Sequence, residues 1–183
     1  MFDPVVGWIA RSGLALLFAV ALAHKVRDLP AFGRVVAGHR LVPERLVPVA
    51  GALVVAAEAA VLAMLLLPSA EHTAGAAAGA LLLVYTLAIA VNLARGRRDI
   101  DCGCLGPGHR QPLSGWLVAR NAVLLAGAAA LALPAAARPL LWVDVVSIAA
   151  ATGMLALLWS AANLLGNGLG PARPEAGRLG RSS

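Results

Sequence analysis

Long apolar runs separated by short polar connections make up most of this chain. Five of them, Val5 to Ala23, Leu46 to Leu67, Thr73 to Ala94, Leu113 to Leu133 and Leu141 to Leu165, approach or exceed the roughly 20 residues that cross about 30 Å of hydrocarbon. None alternates apolar and polar positions as the strand of a membrane barrel does, so all five are predicted helices. Pro43 and Pro48 bracket the start of the second run and Pro68 closes it. Pro107 and Pro112 flank the next connection, and Pro134 with Pro139 separates the last two runs. The predicted fold is an all-α integral membrane protein, a compact bundle of about five transmembrane helices. Residues 1–165 form one polytopic membrane domain, and residues 166–183, rich in Gly, Pro, Arg and Ser, read as a disordered tail.

Composition supports that class and sharpens the packing. Of 183 residues, 60% are hydrophobic and 13% charged, far from the balance of a soluble globular chain. Alanine is abundant and aromatic residues are few, so helices are expected to approach closely through small side chains. A net charge of +6 does not indicate nucleic acid, because the basic residues lie between apolar runs and not on one face of a soluble domain. They are topology signals. The connection from His24 to Arg45 carries Lys25, Arg27, Arg34, Arg40 and Arg45; the one before the fourth run carries Arg95, Arg97, Arg98 and Arg110; the tail carries Arg173, Arg178 and Arg181. By contrast, Pro68 to His72 has none and the last turn has only Arg138. This asymmetry predicts a multi-pass protein of the cell membrane with its N-terminus outside and its C-terminus inside. Ala21-Leu22-Ala23 resembles a signal-peptidase site, but Asp3, the lack of Lys or Arg ahead of the run, and Arg11 within it favour a retained anchor.

The only two cysteines, Cys102 and Cys104, flank Gly103 in the Arg-rich connection on the predicted inner side. A disulfide there closes a very small ring, which a central glycine permits. Strain in it favours exchange over permanence, and cross-linking three residues contributes little to stability. Arg95, Arg97 and Arg98 are placed to favour the reactive thiolate, with Asp99 and Asp101 opposing them. Two other readings stay open: thiolate ligation of a soft ion such as Cu(I), with His109, His24 or His39 contributing, and inert thiols. A closed zinc site would need a second cysteine pair.

Charges inside apolar runs are costly and normally paired or functional. Counted at 1.5 Å per residue from the inner ends, Glu58 lies about 18 Å deep, Arg11 about 20 Å and Arg120 about 10 Å. An interhelical pair or triad around Glu58 is therefore expected, with Arg11 near its level and the long Arg120 side chain reaching toward it or toward the cysteine connection. Asn92 and Asn121 are candidates to line a pocket on the cysteine side, Tyr85 is expected to pack, and Arg138 and Asp144 are expected to be solvated.

The order of these features resembles the MauE family of membrane proteins, named for methylamine utilisation and related to DoxX-like proteins. The likeness spans roughly Val5 to Leu133. It rests on Ala23-His24-Lys25-Val26-Arg27-Asp28-Leu29-Pro30-Ala31-Phe32, Leu41-Val42-Pro43, Glu58, and Asn92-Leu93-Ala94-Arg95-Gly96-Arg97. It continues with Asp101-Cys102-Gly103-Cys104-Leu105-Gly106, Leu113-Ser114 and Arg120-Asn121. The resemblance implies a DoxX-like four-helix core plus a C-terminal helix, and a redox-associated protein that helps mature an exported, disulfide-bearing client with a thioredoxin-like partner. It also implies Cys102 and Cys104 as the exchanging pair, with Lys25, Glu58, Asp101, Arg120 and Asn121 in support. No cofactor is specified; a quinone meeting the loop from within the membrane is the one candidate. A small transporter or Cu(I)-handling protein, and a non-catalytic membrane scaffold, are the competing function classes.

Overall fold

A computed structural model describes residues 3–67, 70–98, 100, 113–133 and 138–168. All regular structure among them is helical: α1 (Pro4–Arg27), α2 (Leu29–His39), a 3₁₀ turn (Glu44–Leu46), α3 (Val47–Leu66), α4 (Glu71–Ala94), α5 (Gly115–Leu131) and α6 (Trp142–Gly168). Four segments, residues 4–27, 44–66, 71–94 and 142–163, are long and apolar enough to cross a membrane. Helix α5 has 17 residues, about 26 Å, at the lower limit for a span. The chain is a multi-pass helical membrane protein.

α5 is shorter than the apolar run that encodes it because Leu113 is used otherwise. Its N–H donates to the carbonyls of Arg98 (3.0 Å) and Ile100 (3.2 Å) before the helix starts. The second departure from the sequence expectation is α2, which occupies what reads as a loop from His24 to Arg45. Asp28 ends α1 and starts α2 in one step, its side chain accepting from the Ala31 N–H at 2.9 Å. Pro30 then sits in the first turn, where its missing N–H costs nothing. α2 packs back along the first half of α3, its Phe32 ring 3.8 Å from where a side chain on Gly51 would begin.

Helices α1, α3, α4 and α5 form the core. Leu14, Phe18, Val61, Leu65, Ala74, Ala78, Leu82, Ala128 and Leu131 are buried together toward one end. Ile89, Leu113 and Leu117 form a second cluster at the other, with Ile100 packed against it. Lipid tails are as apolar as leucine, so the bundle is held by close packing and interhelical polar contacts, not by exclusion of water. Gly75 and Gly79, one helical turn apart on α4, meet Ala128 of α5, and a Cβ on Gly75 would lie 2.7 Å from Leu131 Cβ and 2.9 Å from the Ala128 carbonyl.

α6 lies outside this core against α1, where Ser12 and Thr152 hydroxyls pair at 2.6 Å. At its start Arg138 bridges Asp144 (2.6 Å) and Asp3 (3.0 Å), in ion pairs that stay partly exposed, with Arg138 at 34% and Asp3 at 51%. The Val5 N–H and then Arg138 hold the Asp3 carboxyl below the usual carboxylate range, and Asp144 with Asp3 raises the Arg138 guanidinium above its ordinary value. Of the expected tail, residues 169–183 lie outside the described residues.

Candidate functional site

Glu58 on α3 is fully buried, with no exposed surface. Its Oε1 accepts from Lys25 Nζ at 2.6 Å and from Tyr85 OH at 2.7 Å, joining α1, α3 and α4. The ammonium also lies 5.3 Å from the Phe32 ring centre and 5.6 Å from that of Tyr85. Two expectations are thereby corrected. Tyr85 is a hydrogen-bond donor and not only a packing residue, and the partner of Glu58 is Lys25, not Arg11 or Arg120.

The reason is the direction of helical side chains. Each Cα–Cβ bond tilts toward its own helix N-terminus, so on antiparallel α1 and α3 the side chains of Lys25 and Glu58 lean toward each other. Arg11, on the same helix as Lys25, leans the same way, but from much nearer the N-terminus of α1, and so points away from Glu58. Its guanidinium stacks 4.9 Å from the Trp8 ring centre, and its Nε donates at 2.6 Å to the Leu65 carbonyl, one of the last-turn acceptors of α3 left open by the helix end. Counting depth on Cα positions alone places Arg11 level with Glu58 and misses both partners. The signal available in sequence was the placement of Lys25 just before the Asp28 cap, where α1 still has helical residues to present.

Arg97 performs the same service for α2. Its Nη2 donates to the Gly38 carbonyl at 2.9 Å, and its Nη1 to the His39 carbonyl at 3.2 Å and to Asn92 Oδ1 at 3.1 Å. Asn92 is fully buried and donates in turn to the Ala88 carbonyl. It clasps Arg97. Arg97 is correspondingly occupied with carbonyls and an amide, whereas Arg95 and Arg98 are exposed. His39 spends Nδ1 on the Val35 carbonyl of its own helix at 2.9 Å. Among the described residues no three His, Cys, Asp or Glu side chains gather as a metal site would require.

Asn121 on α5 donates to Thr86 Oγ1 at 3.2 Å, tying α5 to α4 beside Tyr85. Arg120, next in sequence, turns outward to α6, donating to Asn163 Oδ1 at 3.0 Å with its guanidinium 4.6 Å from the Trp159 ring centre. Asn163 and Trp159 are partners that no sequence pattern singled out. The structure thus brings together Lys25 and Glu58, and separately Asn121 with α4, but distributes Arg120 and Asn92 to other contacts. Asp101, Cys102 and Cys104 lie outside the described residues. The two ends of their segment are described: Ile100 packs on the Ile89, Leu113 and Leu117 cluster, and Leu113 closes onto Arg98 and Ile100.

Comparison with known proteins follows this frame closely. The family described as Methylamine utilisation protein MauE matches residues 3–135, which covers α1 to α5 and stops before α6. A Methylamine utilization protein MauE from Paracoccus denitrificans is 42% identical over 173 residues, covering 91% of this chain and 90% of the relative. Another, from Paracoccus versutus, is 45% identical over 174 residues, 93% and 91% of the two chains. A third, from Methylophilus methylotrophus, is 36% identical over 173 residues, 89% and 87%. No solved structure matches. With the family match spanning the helical core and the relatives aligned over almost their whole length, the chain belongs to the MauE family of methylamine utilisation proteins.

Proposed function

We propose that this protein is a membrane thiol-disulfide redox protein of methylamine utilisation, in which Cys102 and Cys104 exchange with a thioredoxin-like partner during maturation of an exported, disulfide-bearing client. The observation that carries the reading is the construction around the cysteine segment. The chain's only cysteines sit between Ile100 and Leu113, two residues joined at a buried base, and Arg97 ties that base to the end of α2. A segment whose two ends are held together suits repeated encounters of its thiols with a soluble partner.

The exchange balances without an outside reagent. One cysteine thiolate attacks a partner disulfide, forming a mixed disulfide and releasing one partner thiolate. The second cysteine attacks the mixed disulfide, which yields the Cys102–Cys104 disulfide and the reduced partner, and the reverse sequence returns the pair to dithiol. Lys25, Glu58, Asn92, Arg120 and Asn121 support the helices that carry this base. By the distribution of Lys and Arg the pair faces inward and its donor is a cytoplasmic thioredoxin-like protein, with a quinone as the alternative acceptor from within the membrane.

Trapping tests the reading. In cells expressing the full chain, Cys104→Ser and, separately, Cys102→Ser should each accumulate a reducible adduct through the remaining thiol when alkylated rapidly. Mass identification of a thioredoxin-like protein in that adduct is the expected result, and no adduct from either variant at native expression would defeat the exchange mechanism.

A further inference from the structure

The cations of this protein divide into two groups. Among the described residues Arg11, Lys25, Arg97, Arg120 and Arg138 all bind carbonyl, amide or carboxylate oxygens. The remaining six, Arg27, Arg34, Arg40, Arg45, Arg95 and Arg98, are all exposed, and none makes a side-chain hydrogen bond or ion pair to another described residue. They fall at one end of the bundle, where α1 and α4 finish and α3 begins. Arg97 draws the segment bearing Arg95 and Arg98 against the end of α2, next to Arg40.

Exposed apolar side chains are interleaved with this collar. Val26 (56% exposed) adjoins Arg27, Leu41 (43%) adjoins Arg40, and Leu46 (51%) adjoins Arg45. Glu44 is the one exposed carboxylate described at this end, since Asp28 is half-buried and caps α2. Arg40 adds a further observation. It stands in left-handed backbone (φ 48°) at the end of α2, a position that glycine or asparagine fills at least cost, so the fold carries a strained long cation there. A soluble acidic protein would match the guanidinium groups and could cover apolar neighbours with its own apolar surface, but Val26 and Leu46 lie at the ends of membrane-spanning helices, where the bilayer boundary already meets them. Phosphate above and acyl chain below match both.

We infer that the collar formed by α2, the 3₁₀ turn and the end of α4 is a recognition surface for anionic phospholipid headgroups, with α2 lying along the headgroup boundary. This goes beyond the thiol chemistry and does not depend on it. The test uses the full-length protein reconstituted in phosphatidylcholine bilayers containing a minority of phosphatidylglycerol, followed by quantification of the lipid that remains bound after extraction. Phosphatidylglycerol should be enriched over its bulk share. Arg34→Gln, Arg40→Gly and Arg45→Gln should each reduce the enrichment by up to about fivefold, and raised salt should weaken it. Arg40→Gly relieves backbone strain, so its melting temperature in pure phosphatidylcholine should hold or rise, separating lost recognition from lost folding. Arg138→Gln, at the other end, should leave the enrichment unchanged. Bound lipid of bulk composition in the wild type, which is also the result expected if an acidic protein is the true occupant, would overturn the inference, as would full enrichment in a variant that combines Arg34→Gln, Arg40→Gly and Arg45→Gln.

Discussion

Replacing Lys25 with Met is expected to destabilise the protein by about 3–5 kcal/mol, enough to remove most folded protein from a marginally stable membrane bundle. Glu58 is fully buried, and its Oε1 takes its shortest hydrogen bond from Lys25. Without the ammonium, Tyr85 alone faces a carboxylate at a depth where water does not compensate. The double variant Lys25→Met with Glu58→Leu removes both charges and should recover most of the loss, because a buried pair exchanged for apolar residues of similar size is often neutral. Thermal denaturation in one detergent, followed by the fraction eluting as monodisperse protein, measures both. Equal destabilisation of the single and double variants would show that Lys25 acts through packing and not through Glu58.

Gly75→Ala is expected to cost about 1–3 kcal/mol, and Gly75→Leu more. The new Cβ would meet a backbone carbonyl and another Cβ, neither of which is the free end of a flexible side chain, so α4 and α5 must separate. Gly79→Ala is the control, since its added carbon meets Ala128 Cβ at 3.7 Å, an ordinary contact. The two alanine variants differ in helix propensity hardly at all, and a difference in melting temperature between them therefore reports the approach distance. Equal melting temperatures would contradict the close packing of α4 on α5.

These two effects also mark how far the sequence could be read. The spans were legible because about 30 Å of hydrocarbon demands long apolar runs, a constraint that acts on composition alone. The peripheral position of α6 was legible only through family resemblance, which supplied a four-helix core and an extra helix. α2 was hidden because an 11-residue amphipathic helix following a span looks like a polar connection when Lys and Arg are counted for topology. Its start was nonetheless written in Asp28 and Pro30, a side-chain cap followed by a first-turn proline.

The buried charges show a different limit. That Glu58, Arg11 and Arg120 needed partners followed from the cost of charge in hydrocarbon, but which partners depended on side-chain direction. Lys25 and Glu58 lean together while Arg11 leans toward the open carbonyls of α3 and Arg120 toward α6. The cations near the cysteines carry the same lesson. Arg95, Arg97 and Arg98 look equivalent in sequence, yet Arg97 alone is committed to the end of α2, while Arg95 and Arg98 stay exposed.

The central claim is that Cys102 and Cys104 form an exchanging pair, and the most direct measurement is a redox titration of those two thiols in native membranes. Samples equilibrated across dithiothreitol or glutathione buffers of stepped potential are quenched with acid, alkylated, and weighed for the number of labels on the full chain. The account predicts one two-electron transition, with the chain passing from two labels to none and no stable singly labelled form, at a potential within reach of a thioredoxin-like partner. Two labels at every potential, with no disulfide formed even in the most oxidising buffer, would contradict it.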